Sequence, residues 1–495
     1  MMMNKASYAL LVLSIAFFAA CKQGESPEAD KAENPVELRV MSFNIEWGGA
    51  KISFANVVEA IRLSGADIVG IQEAEGNLQR LAADLDWNYD LRNYVISRFP
   101  LIEPPGADGR YVYVEVEPGK IVAIANVHLP SDPYGPDAIR DGARLHQVLE
   151  LERTVRLPKI LPYLEVLPPL VERGIPVFLT GDFNAPAHTD WVPKTVNSRP
   201  FLRYAVDWPV SRATAAAGFR DSWREVHPDP LANPGLTWWA GRPPLKEYAP
   251  GPNDAQDRID FLWFAGPVTV HGSEIAGEEG GPEVSIAVMP WPSDHRGVVS
   301  SFNAQPAAMP ELVAPSRRVY RTGDQVEIVY NFQDQTVLGV VDATVDEPVV
   351  SRSVKGTGRE VFGPKLFTAG HYRARVQRPG RETLQKDFWV LKRDVTPSVE
   401  VVGTTFKPGD SIAVKWKNAP GNRNDYVATY KLDVATDYEN GLTWSYVGAL
   451  PEGQLQLDET TTEAGWPLEP GTYVVRLVKD DGYEPMAESA SFTVE

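Results

Sequence analysis

The sequence predicts a mixed α/β domain of sandwich type over residues 36–305, followed by two all-β modules. Short apolar runs that end in polar or charged residues alternate with helical patterns in the first part, as packed strands and helices require. After Pro310 the pattern changes to short strands separated by Gly and Pro turns, and two stretches of that second part echo each other.

Leu38 to Ile45 alternates as a strand that runs out at the polar Asn44, and Glu46-Trp47-Gly48-Gly49 reads as a turn. Ser53 can cap a helix that carries Val57, Val58 and Ile61 on one face. Ala66 to Glu73 is a second buried strand with a carboxylate at its C-terminal end. Tyr111–Glu117 and Ile121–Val127 flank Pro118-Gly119 as a hairpin whose second strand ends at His128. Between Asp137 and Arg173 the pattern is helical, broken by Pro158, Pro162 and Pro168-Pro169. Ile175 to Thr180 is short and continuously apolar, a strand buried on both faces, and it delivers Gly181-Asp182-Phe183-Asn184-Ala185-Pro186 at its end. Residues 187–253 read mostly as loop with short elements around Phe219–Trp223 and Leu236–Trp239. Arg258–Phe264 is a further strand in which Asp260 faces away from its neighbours, and Ser293-Asp294-His295 precedes the strand Val298–Phe302.

In the second part, Tyr320-Arg321-Thr322-Gly323-Asp324 matches Phe406-Lys407-Pro408-Gly409-Asp410, each followed by an alternating strand. Gly370-His371-Tyr372 likewise matches Gly471-Thr472-Tyr473. The pattern predicts two divergent copies of one β-sandwich, over 308–394 and 395–495, which resemble immunoglobulin-like modules without the paired cysteines.

Near its start the chain has Lys5, an apolar run from Ala9 to Phe18, then Ala19-Ala20 and Cys21, the only cysteine among 495 residues. That run is too short to span a bilayer comfortably. Residues 1–21 resemble a bacterial lipoprotein signal, which implies a lipidated Cys21 and a cell-envelope location. Lys22 stands where an Asp would signal inner-membrane retention, which favours the outer membrane. Ordinary signal cleavage would instead leave Cys21 a free thiol. Residues 22–35 are polar and aperiodic, a flexible linker. One cysteine excludes an intramolecular disulfide, so the 43% apolar content must build the cores.

In order, Ser42-Phe43-Asn44, Gln72-Glu73, Asn126-Val127-His128, Gly181-Asp182-Phe183-Asn184, Arg258-Ile259-Asp260 and Ser293-Asp294-His295 resemble the signature of the endonuclease/exonuclease/phosphatase superfamily, the deoxyribonuclease I-like proteins. The resemblance covers residues 36–305 and implies a four-layer α/β/β/α sandwich with divalent-metal-dependent phosphoester hydrolysis. It also implies that Asp182, Asn184, His128, Asp260 and His295 are catalytic and that Asn44, Glu73 and Asp294 lie on the metal side.

Elementary chemistry agrees with those roles. Mg²⁺, or Mn²⁺ in its place, is a hard cation that wants oxygen ligands and few carboxylates beside a phosphate. Glu73 supplies a carboxylate, and Asn44 a neutral oxygen. Asp182 is suited to orient a water and take its proton, although Gly-Asp-Phe-Asn alone reads equally well as an Asx-turn. His128 and His295 supply donors where phosphoryl charge grows, and Asp260 would hold the His295 imidazole. Arg98, in Ser97-Arg98-Phe99-Pro100, and Tyr134 are candidate substrate contacts, while His146, His188, His227, His271 and His371 belong to no motif.

Residues 36–305 hold 24 Lys plus Arg against 35 Asp plus Glu. Duplex binding leans on a basic footprint, so this balance favours a small phosphoester or lipid headgroup. An extracellular nuclease of the same fold stays in play, as does a non-catalytic surface protein that binds through its β modules.

Overall fold

The computed structural model describes residues 35–246, 255–378, 380–462 and 465–495. The expected signal segment, the linker up to Asn34 and Cys21 lie outside the described residues. Among the described residues no helix is long and apolar enough to cross a membrane.

Among the described residues, thirteen strands and eight α-helices build the part of the chain up to Ala304. In chain order the strands are β1 (Val36–Asn44), β2 (Ile68–Gln72), β3 (Asn88–Asp90), β4 (Val95–Ser97), β5 (Leu101–Ile102), β6 (Val112–Glu117) and β7 (Lys120–His128). They continue with β8 (Val177–Asp182), β9 (Arg220–Asp221), β10 (Asp260–Ala265), β11 (Val268–Gly277), β12 (Val284–Ala287) and β13 (Gly297–Ala304). The helices are α1 (Phe54–Ser64), α2 (Leu78–Leu85), α3 (Gly135–Arg140), α4 (Leu145–Val155), α5 (Leu157–Val166), α6 (Pro168–Glu172), α7 (Pro209–Ala216) and α8 (Ser222–Val226). Ser53 caps α1 as expected, its side chain accepting from Asn56 N–H, an interaction worth about 1 kcal/mol. The helical stretch after Asp137 breaks near its prolines: Pro158 falls in the first turn of α5 and Pro168 opens α6, while Pro162 is carried inside α5.

Two seven-stranded mixed sheets result, ordered β12-β11-β13-β1-β2-β4-β3 and β5-β6-β7-β8-β10-β9 with a short strand at Ala307–Ala308 beside β7. Three apolar clusters follow from the period-two alternation of the strands. Met41, Phe43, Val69 and Ile71 pack with α1 and α2. Val177, Leu179, Phe261 and Trp263 pack with Ile160 and Tyr163 of α5. Their neighbours of opposite parity, Leu38, Val40 and Ile68 from one sheet and Ile124, Phe178 and Leu262 from the other, form a cluster shared by both sheets.

That shared side turns polar towards one end. Gln72 Nε2 donates to Asn126 Oδ1 at 2.6 Å, Thr180 Oγ1 donates to the same oxygen at 3.0 Å, and Asn126 Nδ2 donates to Ile71 O and Tyr94 O. The sheets approach so closely here that a Cβ on Gly70 would lie 2.0 Å from Thr180 Oγ1. Only glycine fits, and the buried donors are satisfied within the group, while Gln72 Oε1 has no partner.

The C-terminal part is rich in strands and repeats itself. In the first copy Arg321 N–H donates to Asp324 Oδ2 at 2.9 Å, and in the second Lys407 N–H donates to Asp410 Oδ2 at 2.8 Å. Tyr372 Oη donates to Thr368 O, and Tyr473 Oη to Glu469 O, each four residues upstream. Both copies also pair one short strand in parallel, Tyr320 opposite Val390 and Phe406 opposite Val494. Each has its own apolar cluster. Residues Pro35–Glu495 together form one compact unit. Contacts such as Lys386 with Glu103 at 3.1 Å and Arg359 with Glu115 tie the first copy to the α/β part.

Candidate active site

Strand direction gathers the polar ends. β1 and β2 run parallel with Asn44 opposite Gln72, and β7 and β8 run parallel with His128 opposite Asp182. β10 runs antiparallel to β8 and begins at Asp260, opposite Asp182. β13 runs antiparallel to β1, so the segment before Gly297 arrives beside Asn44, where Ser293 Oγ donates to Asn44 O at 2.7 Å. Asn44, His128, Asp182 and Asp260 share the parity of the core between the sheets. Glu73 follows β2 in a left-handed turn, φ 55°, which brings its side chain to the same cleft.

The cleft has a volume of about 470 Å³ and is lined by Glu73, His128, Asp182, Asn184, Asp294 and His295, together with Glu46, Trp47, Asp132, Tyr134, Asp137 and Trp238. At its centre His295 donates Nδ1–H to Asp260 at 2.9 Å, and its Nε2 lies 3.6 Å from Asp182 Oδ2. Asp182, Asp260 and His295 are all buried, and one ligand atom of each lies within 4.8 Å of the others, close enough among the described residues to share a metal ion. Burial would favour a neutral imidazole, but Asp260, Asp182 and Asp294 hold His295 well above its usual range, so it is cationic near neutrality. Burial raises the Asp182 carboxyl to about 6, against the pull of His295 and with a push from Asp260.

Asn184 realises the Asx-turn reading without removing the catalytic one. Its N–H donates to Asp182 Oδ1 at 2.9 Å, it has φ 47°, and its side-chain amide donates to Leu129 O at 3.0 Å. Asp182 keeps Oδ2 for the cleft, facing His128 Nε2 at 3.6 Å. His128 is about one-third exposed and is also 3.9 Å from Glu73.

Glu73 and Asp294 adjoin that cluster, Asp294 Oδ1 lying 3.9 Å from His295 Nε2 and Glu73 sharing the Asn44 amide with Asp182. Burial favours the neutral acid at Glu73, yet His128, His295 and the Asn44 amide hold its carboxyl below the usual range. Asp294 is held above it, chiefly by burial. Asp294 Oδ1 is buried without a hydrogen-bond partner, an oxygen of the kind a cation would satisfy. Asn44 turns its nitrogen to the carboxylates, donating to Glu73 at 2.9 Å and to Asp182 at 3.1 Å, while its oxygen accepts Glu46 N–H at 3.0 Å. To hold a cation through oxygen this amide must turn over. Two carboxylates and an amide oxygen are hard donors of the kind a divalent cation takes.

Tyr134 lines the cleft with its hydroxyl on Asp257 at 3.3 Å and its ring edge-on to Trp238. Arg98, expected to touch substrate, does not line the cleft. β4 is antiparallel to β2, with Ser97 opposite Ile68, so Arg98 sits at the far end of β2 from Glu73, 3.7 Å from Asp67 and over the Trp87 ring. Three contributors escaped the sequence reading. Glu46 accepts Asp294 N–H and pairs with Arg242 at 2.7 Å, and burial with the nearby Asp294 raises its carboxyl to about 7. Trp238 Nε1 donates to Asp294 at 3.3 Å. None of the three stands in a periodic pattern, and only the spacing Asn44–Glu46 could have signalled one of them.

A family model described as the Endonuclease/Exonuclease/phosphatase family matches residues 41–295, just over half of the 495 residues. The chain belongs to this family. The matched span begins in β1 and ends on His295, so the Endonuclease/Exonuclease/phosphatase match contains every cleft residue named above. An uncharacterized Caenorhabditis elegans protein is 29% identical over 255 residues, 47% of this chain and 79% of its own. Among solved structures, D. rerio TDP2 complexed with a single-strand DNA product is similar with TM-score 0.34 and 14% identity, covering 54% of this chain and 99% of its own. The mannosyl-6-phosphatase of Bacteroides thetaiotaomicron is similar with TM-score 0.31 and 15% identity, again covering 54% and 99%.

Proposed function

We propose that this protein is a divalent-metal-dependent hydrolase of small phosphoesters, held on the cell envelope through Cys21. The observation that carries the reading is the cationic His295, braced by Asp260 and facing Asp182, in one cleft with Glu73 and Asp294. The expected α/β/β/α layering and the immunoglobulin-like reading of the two repeats belong to the same proposal.

Glu73 and Asp294 would hold the cation, with Asn44 joining once its amide turns. A bound Mg²⁺ or Mn²⁺ supplies charge that neutralises phosphoryl oxygens. Asp182, with a carboxyl near 6, is ionised at neutral pH and still basic enough to take a proton from an attacking water. His295 and His128 donate to the oxygens on which charge develops, and Asp260 fixes the imidazole plane of His295. Trp47, Tyr134 and Trp238 offer apolar faces to the rest of the substrate.

No Lys or Arg lines the cleft among the described residues, while Glu46, Asp132 and Asp137 do. A strand of nucleic acid, with phosphates on either side of the scissile one, meets repulsion there. A phosphomonoester of a small alcohol, or a lipid headgroup, presents one phosphate to the site. The test is purified protein with Mg²⁺ against DNA, RNA, sphingomyelin, inositol phosphates and sugar phosphates. Turnover of small phosphoesters supports the proposal; preferential cleavage of DNA or RNA would establish the nuclease reading, and no hydrolysis of any member would favour a binding protein.

A further inference from the structure

Two loops of the second β module reach into the α/β part beside the turn that carries Glu73. The first, Gly421–Asp425, is preformed: Gly421 and Asn422 N–H donate to Asp425 Oδ2 at 3.1 and 3.0 Å, and Asn422 Nδ2 to Oδ1 at 2.9 Å. The second, 479–482, is stitched to it by Asp481 N–H donating to Asn424 O at 3.1 Å. Arg423 projects from the first and Asp480 from the second.

Arg423 finishes a strand edge. β6 begins at Val112, opposite Ile124, so Asn126 of β7 has no strand neighbour on that side. Arg423 Nη1 donates to the free Asn126 carbonyl at 3.1 Å, Nη2 donates to Tyr163 Oη, and Arg423 N–H donates to Leu91 O at 3.2 Å. His128 lies two residues beyond Asn126. Asp480 accepts Gly76 N–H and the Tyr94 hydroxyl. Gly76 closes a turn in which Glu73, Glu75 and Gly76 have φ 55°, 43° and 78°. Left-handed backbone at non-glycine residues persists where the surroundings over-determine it. Lys479 packs there too, since a Cβ on Gly76 would lie 2.0 Å from its Cε. Tyr94 joins both arms: Arg423 covers its ring at 5.8 Å, and its carbonyl accepts Ile71 N–H and Asn126 Nδ2–H.

We propose that Asp480 and Arg423 are positioning residues of the catalytic centre, so that the second β module completes the site by fixing the segments that carry Glu73 and His128. This rests on the reading of Glu73 as a cation-holding carboxylate. Outer partners that orient a ligand are typically worth about 10- to 100-fold in metal affinity. Full-length Asp480→Ala should therefore bind Mn²⁺ about tenfold or more weakly by calorimetry without substrate. Its kcat should fall more than its KM rises. Asp480→Asn keeps an oxygen for Gly76 N–H and should recover most of the loss, and it serves if the alanine variant does not fold. Arg423→Ala should lower kcat, and Arg423→Lys should restore part of it. As a control, Arg359→Ala breaks the docking contact to Glu115, which lies opposite Ile121 near the other end of β7, and should change neither affinity nor kcat.

Folded Asp480→Ala and Arg423→Ala proteins with wild-type Mn²⁺ affinity and kcat would overturn the proposal and leave the metal reading standing. Wild-type protein that binds no Mn²⁺ would overturn both.

Discussion

Nδ1 of His295 stands 2.9 Å from Asp260 Oδ2, and the opposite ring nitrogen faces Asp182 at 3.6 Å. The imidazole is therefore a bridge between two buried carboxylates, with one side anchored and the other turned to the cleft. Losing such a donor typically costs about 10² to 10³ in rate. His295→Ala should depress kcat by that order with little change in thermal unfolding. Asp260→Asn should be milder, because the ring stays but its carboxylate partner becomes a neutral amide that orients and charges it less well. The double variant should lose little more than His295→Ala, since groups acting as one unit are non-additive. Strictly multiplicative losses in kcat would show that Asp260 works independently.

The acid side of the pH profile should report Asp182. Its carboxyl is raised to about 6, and it accepts a proton only when ionised. Rate must then fall as pH drops through that value, approaching one decade per pH unit, while His295 remains cationic on that side. Measured kcat/KM that stays flat to roughly pH 5 would remove Asp182 as the base.

Excess EDTA should abolish turnover, and Mg²⁺ or Mn²⁺ should restore it. Glu73→Gln is nearly isosteric and should shift the half-saturating Mg²⁺ concentration upward while the unfolding midpoint stays close to wild type. Full turnover in chelator would sink the metal assignment.

The proposed attachment through Cys21 can be tested apart from the chemistry. Cys21→Ser should move the protein from the membrane fraction to the soluble fraction with specific activity unchanged. Wild-type protein that already fractionates as soluble after export would refute the lipid anchor.

Much of the centre was legible because strand alternation is local. Phe178, Thr180 and Asp182 share a parity, and so do Leu262 and Asp260, so apolar inner faces announce the polar atoms at their ends. Arg98 was misplaced for the complementary reason: the antiparallel pairing of β4 with β2 is a non-local fact that no short window contains. Helix α7 falls in a stretch that reads as loop because Pro209 breaks the apolar rhythm, although proline is well tolerated at a first helical turn. Glu46 and Trp238 meet Asp294, and Arg242 meets Glu46, only through the fold. The repeat after Pro310 was legible because each copy needs the same Asp-closed turn and the same tyrosine anchor.

The bond between Gly76 and Asp480 spans 404 positions of the chain. A growing polypeptide emerges at about 5–20 residues per second, N-terminal part first. The α/β part can thus collapse well before its partner loop exists, with the Glu73 turn unsupported during that interval. Assembly of the Glu73 turn is then tied to completion of synthesis, because the loop that holds Gly76 is among the last parts of the chain to be made.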